Sequence, residues 1–150
     1  MWFWLEWPEE TKSLANAEAI FSRCAKKDSL PVALVKMRGG LPIATVSLLE
    51  TSVHSHPHLR PWVAALFVLP QHRHKGIGMK MVAAAAGKAH GLGFEAVYIG
   101  ISDARAVYEN AGWNYHETGV AGEKSCMIFK KIFVQNGIQH LGAADAAKRR

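Results

Sequence analysis

The amino-acid sequence predicts a mixed α/β fold in one domain, and three features carry that prediction. Two apolar runs flank Gly39-Gly40 as a hairpin would. An unbroken apolar run over residues 62–68 leads through two closely spaced glycines into a segment of helical period. A further strand, short helix and strand follow. The 150 residues suit one domain with a substantial core, and 49% apolar with 20% charged residues is the composition of a globular chain. The domain edge is expected at residue 135, with the Gly- and Ala-rich residues 136–150 a loosely ordered tail ending in Lys148-Arg149-Arg150.

Taken in order, residues 11–27 place Leu14, Ala17, Ile20, Phe21 and Cys24 at three- and four-residue steps, with Ser13 or Asn16 as a cap, which predicts an amphipathic helix. Residues 32–37 and 42–49 are the hairpin strands, and residues 54–61, with two prolines, a loop. The run 62–68 is expected to be central and buried on both faces. Pro70 ends it. A helix then presents Ile77, Met81, Val82, Ala85 and Ala89 to the sheet until Gly91 and Gly93 stop it. Residues 96–101 form a strand and 103–110 a short helix. Gly112 breaks into Trp113-Asn114-Tyr115 before a last strand around 126–133. Trp62 and Trp113 are assigned to the core. Trp2, Trp4 and Trp7 pack the first helix, or line an acceptor pocket or a homodimer contact if exposed.

Composition excludes several classes. Cys24 and Cys126 lie far apart and in no metal-ligand spacing, which fits a reducing cytoplasm and neither a disulfide framework nor a zinc site. The opening Met1-Trp2-Phe3-Trp4-Leu5 lacks a basic region and is interrupted by Glu6 and Pro8, so it reads as part of the fold rather than a signal peptide. No apolar run approaches the roughly 20 residues of a membrane span, and no membrane role is expected. The net charge is +6. Residues 51–94 contain no acidic residue but carry Arg60, Arg73, Lys75, Lys80 and Lys88 with six histidines, which points to an anionic ligand there. Nucleic acid is not expected, because no reader motif or aromatic platform accompanies the charge.

The glycines at 76 and 78, preceded by Arg73 and Lys75 between a buried strand and a helix, suit an anion cradle. The first helical amides lack intrahelical partners, the dipole is positive there, and glycine admits close approach of a pyrophosphate. The spacing alone equally describes a strand-to-helix turn with incidental basic residues. A dinucleotide fingerprint would need glycine where Met81 stands, and no GxxxxGK[ST] string occurs.

The longer string Leu66-Phe67-Val68-Leu69-Pro70-Gln71-His72-Arg73-His74-Lys75-Gly76-Ile77-Gly78 resembles the acetyl-CoA-binding motif of the GNAT superfamily of N-acetyltransferases, a strand ending V-x-P followed by R-x-x-G-x-G. In the same order, Ala104-Arg105-Ala106-Val107-Tyr108-Glu109-Asn110-Ala111-Gly112-Trp113 resembles that family's tyrosine-bearing short helix followed by glycine and an aromatic. The resemblance covers residues 31–133, and the strand that usually opens such domains has no clear counterpart before Trp4. It implies a mostly antiparallel central sheet flanked by helices, with a V-shaped opening between the strands ending at Val68 and Ile101. It further implies that Leu66, Phe67 and Val68 pair with the pantetheine arm and that Arg73, His74, Lys75, Gly76, Ile77 and Gly78 hold the pyrophosphate, with Met79 extending the contact. An amide near Phe67 would receive the oxyanion.

The implied function is acetyl-CoA-dependent transfer of acetyl to a primary amine of a small molecule or peptide, by direct attack on the thioester and without a metal. A noncatalytic acyl-CoA-binding module of the same fold is the alternative. Tyr108 corresponds to the residue that meets the departing thiolate. Where histone-type members carry a glutamate six residues before the motif valine, this chain has Trp62. Glu50 is then the leading acidic candidate for a base, ahead of Glu117 and the loop histidines. His54, His56 and His58 alternate as metal ligands do, but Pro57 and the lack of a neighbouring carboxylate or cysteine favour a polar loop at the substrate mouth.

Overall fold

The computed structural model describes Ala15, Glu18, Ala19, residues 22–25 and residues 27–134. Ala15, Glu18, Ala19 and Ser22 are helical, and Cys24 is buried. The remainder of the expected first helix, Trp2, Trp4, Trp7 and the tail 136–150 lie outside the described residues.

Six strands form one sheet: β1 Val32–Arg38, β2 Leu41–Leu49, β3 Trp62–Val68, β4 Ala96–Ile101, β5 Asn114–Ala121 and β6 Lys124–Ile132. Their spatial order is β1-β2-β3-β4-β6-β5, and every pairing is antiparallel except β3 with β4. Helix α1 is Ile77–Gly91, helix α2 is Arg105–Asn110, and Pro70–His72 forms a single 3-10 turn. The hairpin turns at Gly39 and Gly40, both with positive φ, which glycine adopts without strain and which suits a two-residue connection. Among the described residues no helix is long and apolar enough to cross a membrane.

Helix α1 covers one sheet face. Ile77, Met81, Val82, Ala85, Ala86 and Ala89 are buried against Ile43, Val46, Leu48, Val63, Val97 and Ile99. The five residues assigned to the sheet-facing side are all among them. On the opposite face Val53, Leu59, Trp62, Tyr98 and Ile128 form a second, smaller cluster. Trp62 and Trp113 are both core residues, and the Trp62 indole N–H donates to the Leu59 carbonyl at 2.7 Å.

The structure departs from the expected pattern in two places. Strand β3 is less enclosed than its apolar run suggested: Trp62, Val63 and Phe67 are buried, while residues 64–66 and Val68 are only partly so. They border the gap where β3 and β4 part. Strand β5 was read only as a break after Gly112. It is an edge strand, mostly exposed and interrupted by a bulge, so it shows no clean alternation of apolar and polar residues.

Candidate active site

Strands β3 and β4 pair only at Trp62 with Tyr98 and at Val63 with Ile99, and then separate. On its other side β3 carries a bulge. Ala64 faces Ser47 and Phe67 faces Thr45, so Ala65 and Leu66 together oppose Val46. Ala65 has φ 53. Past Val63 the inner edge of β3 thus faces the opening rather than β4, and an extended ligand can lie alongside it.

The chain then folds over itself. His72 and Arg73 donate their amides to Leu69 and Pro70 at 2.8 and 3.2 Å, His74 takes φ 61, and Gly76 caps α1 in the left-handed region at φ 79, ψ 3. The first intrahelical bond runs from Lys80 N–H to the Gly76 carbonyl at 3.2 Å, and among the described residues no side chain caps the helix. The amides of Ile77, Gly78 and Met79 therefore point out of the N-terminus at the positive end of the dipole. Leu66, Phe67, Val68, His72, Arg73, His74, Ile77 and Gly78 line one groove, so seven of the ten residues assigned to cofactor binding come together there. Of the other three, Gly76 sets the turn, and the exposed Lys75 ammonium reaches the Gln71 carbonyl at 3.4 Å. Met79 packs partly into the core. Arg73 donates from Nε to the Val68 carbonyl at 2.7 Å and lies over the Phe67 ring at 5.3 Å, so its charge is held at the groove wall.

Tyr108 stands on α2, half-buried, with its ring edge-on to Trp113 and tilted against Phe129. Burial pushes the phenol pKa above its ordinary value, and Asp103 adds to the rise. The hydroxyl stays protonated at neutral pH and is a hydrogen-bond donor; among the described residues it has no partner. Ala104, which caps α2, has φ 61. Among the described residues the non-glycine positions of positive φ are Ala65, His74 and Ala104: the strand bulge, the loop before α1 and the turn that presents Tyr108. Such strain gathers where the surroundings hold a residue for function.

Glu50 lies elsewhere. It follows β2, whose Leu49 pairs with Trp62 at the closed end of the opening, while the groove is lined from Leu66 onward. Four residues of strand separate Trp62 from Leu66, up to about 13 Å. Both Glu50 oxygens accept from Arg60, at 2.7 and 2.9 Å. The loop histidines are closer to a carboxylate than the sequence indicated, because the fold brings Glu117 to them: His56 Nε2 is 3.1 Å from Glu117 Oε2, and His116 Nε2 is 3.2 Å from Oε1. The His56 hydrogen bond, opposed by burial and aided by the charges of His56, His116 and His58, holds the Glu117 carboxyl below the usual carboxylate range. Among the described residues no group of three or more His, Cys, Asp or Glu is arranged to hold a metal ion. His72 in the groove and His116 beside Glu117 are the members sequence reasoning did not single out, whereas Glu117 was named only as a weaker candidate than Glu50. Only the cluster of histidines in residues 51–94 hinted at His72.

A mostly antiparallel sheet parted at its one parallel junction, with a helix N-terminus at the mouth of the gap, defines an acyl-CoA acyltransferase class of fold. The chain belongs to the Acetyltransferase (GNAT) family, whose model matches residues 1–113. The match extends upstream of residue 31, into the segment where the sequence resemblance had seemed to lapse. No curated protein sequence matches the chain. Among solved structures, an aminoglycoside 6'-N-acetyltransferase complexed with coenzyme A superimposes with a TM-score of 0.66 at 14% identity, covering 89% of this chain and 88% of that one. An aminoglycoside 6'-acetyltransferase type Ii gives 0.65 at 17%, covering 89% and 86%. The ribosomal-protein-alanine N-acetyltransferase from Brucella melitensis gives 0.63 at 17%, covering 81% and 79%.

Proposed function

We propose that this chain is an acetyl-CoA-dependent N-acetyltransferase that acetylates a primary amine by direct attack on the thioester, in the cytoplasm. The observation that carries the reading is the groove in which the uncapped N-terminus of α1 meets the stretch of β3 beyond its last pair with β4. A pyrophosphate suits the amides of residues 76–79 and the charge of Arg73 and Lys75, and an extended amide-bearing arm suits residues 66–68. A similar structure contains coenzyme A, which supports the same ligand here. The acceptors named for the neighbours differ, an aminoglycoside in one and a protein alanine in another, so the acceptor of this chain is defined only as an amine.

Within this reading, a backbone amide near Phe67 stabilises the oxyanion. Tyr108 donates to the departing sulfur, a role suited to a phenol kept protonated by burial. Glu50 is the acidic residue the sequence offers as base. Calorimetric titration with acetyl-CoA tests the proposal. Micromolar binding by the wild type, abolished in the Gly76→Asp/Gly78→Asp double variant that puts two negative charges in the cradle, supports it. Absence of binding by the folded wild type refutes it.

A further inference from the structure

The base for the acceptor amine is the part of this reading that the family position does not supply. That position is Trp62, a fully buried indole whose N–H is already bonded to Leu59. The acceptor must approach from the sheet face opposite α1, since the α1 face is filled by the main core. On that opposite face Trp62 contacts Tyr98 at 5.6 Å, its partner in the last pairs before β3 and β4 separate, and Tyr98 contacts His116 at 5.8 Å edge-on. His116 is thus one aromatic ring from the apex of the opening.

Its orientation comes from a bulge. Tyr115 pairs with Phe129 and Glu117 with Ile128, which leaves His116 as the extra residue of β5. In a regular strand His116 and Glu117 would point to opposite faces. The Tyr115 ring lies on the α2 side, against Phe129 and beneath Arg105, whereas His116 and Glu117 both turn to Tyr98 and His56. Bulges re-aim side chains in this way and are frequent beside active sites.

The two histidines on Glu117 are not equivalent. His56 has an 11% exposed side chain with both ring nitrogens engaged, Nδ1 with Ser55 Oγ at 2.7 Å and Nε2 with Glu117. Nε2 faces the Glu117 carboxylate, which can only accept, so neutral His56 carries its proton on Nε2 and Nδ1 accepts the Ser55 O–H, whose oxygen in turn accepts the Val120 N–H. His56 serves to hold Glu117. His116 is 33% exposed and uses only Nε2, toward Glu117. That contact places the proton of the neutral ring on Nε2 and leaves Nδ1 as the acceptor, the tautomer control a carboxylate partner exerts on a histidine base.

We propose that His116 Nδ1 takes the proton of the incoming ammonium, with Glu117 and His56 as positioning residues; the inference rests on the acetyltransferase reading above. The amine must lose two protons. The first passes from the ammonium to Nδ1 and then to solvent. Nitrogen next attacks the thioester carbonyl, the C–S bond breaks, and the second nitrogen proton ends on the thiol, relayed through the Tyr108 hydroxyl, which gives one proton and regains one. The titratable and charged groups gathered here are Glu117, which His56, His58 and His116 surround, and Lys130 of β6, whose ammonium lies over the Tyr98 ring at 5.7 Å.

The test measures thiol release from acetyl-CoA as a function of pH with two probe nucleophiles: phenethylamine, an ammonium ion at neutral pH, and hydroxylamine, already neutral there. His116→Gln should slow phenethylamine acetylation at pH 7 by about 100-fold. It should move the acid limb of kcat/KM up toward the amine's own pKa and leave the hydroxylamine rate and acetyl-CoA affinity unchanged. Glu117→Gln should shift the same limb by less. Equal loss with both nucleophiles marks a structural role and overturns the assignment. A limb that stays in place in His116→Gln and moves in Glu50→Gln gives the role to Glu50. Failure of the wild type to bind acetyl-CoA, or to release thiol with either nucleophile, removes the acetyltransferase reading itself.

Discussion

Two alanine substitutions, two residues apart, separate the mechanical role of the glycine loop from its binding role. Gly76 sits at φ 79 with nothing within 4 Å of where a Cβ would be. Gly76→Ala therefore meets no clash, and its cost is the left-handed conformation itself, about 1–2 kcal/mol for an L-residue. At the scale of a 150-residue domain that lowers Tm by roughly 2–8 °C. Gly78 is different. Its backbone is helical, and an added Cβ would stand 3.5 Å from Leu66 Cδ2 and 4.0 Å from Val68 Cγ2, ordinary contact distances. Gly78→Ala should leave stability unchanged or raise it by up to about 1 kcal/mol through helix propensity. Its methyl nevertheless points toward the two β3 residues that line the same groove, where the cofactor arm is proposed to run. Acetyl-CoA affinity should fall at least about tenfold, ~1.4 kcal/mol. Calorimetry paired with thermal denaturation reads both quantities. Wild-type affinity in Gly78→Ala would show that no ligand passes between α1 and β3, whatever the fate of Gly76→Ala.

Three further substitutions probe the rest of the site. Tyr108→Phe should reduce kcat by about 10- to 100-fold with acetyl-CoA affinity intact. Because burial raises the Tyr108 pKa, any alkaline limb owed to it in the wild type should lie above the ordinary phenol value of about 10. Gly119→Ala would bring a Cβ to 2.7 Å from Ile128 Cδ1, 2.8 Å from Val53 Cγ1 and 3.1 Å from His56 Nδ1, which should cost about 1–3 kcal/mol. The first local sign should be faster hydrogen exchange at Val120, whose N–H is held by Ser55 Oγ at 2.8 Å. For Glu117 the folded pKa lies below the unfolded one, so its contribution to stability is present above the unfolded value and lost as pH falls through the folded value. The Tm difference between wild type and Glu117→Gln should be largest near neutral pH and close in acid.

What the sequence made legible follows from how local each signal is. The run 62–68, the glycine pair and the helix to Gly91 are contiguous, and β3, β4 and α1 appear where their patterns placed them. The groove is legible for the same reason, since its lining residues fall within a span of 13 positions, 66–78. The proposed acceptor side is not contiguous. His56, Tyr98 and Glu117 come from a loop and two strands, and their convergence depends on a one-residue bulge at His116 that no periodicity announces. Glu50 illustrates the same limit from the other direction: its position after the second strand is evident in the chain, but its bidentate partner Arg60, ten residues on, is not.

This division between local and assembled parts also bears on specificity. The structural neighbours share the fold at 14–17% identity, yet their names specify different acceptors. The cofactor side of such a fold is built mainly from backbone: helix amides, a strand edge and glycines, which tolerate divergent side chains around a common geometry. The face opposite α1 is built from side chains of a loop and an edge strand. In this chain Ser55 ties the loop to Val120, and His56 ties it to Glu117. A change of acceptor can therefore arise there without disturbing the parting of β3 from β4, and substitutions in residues 51–61 and 114–121 should alter KM for the amine before they alter affinity for acetyl-CoA.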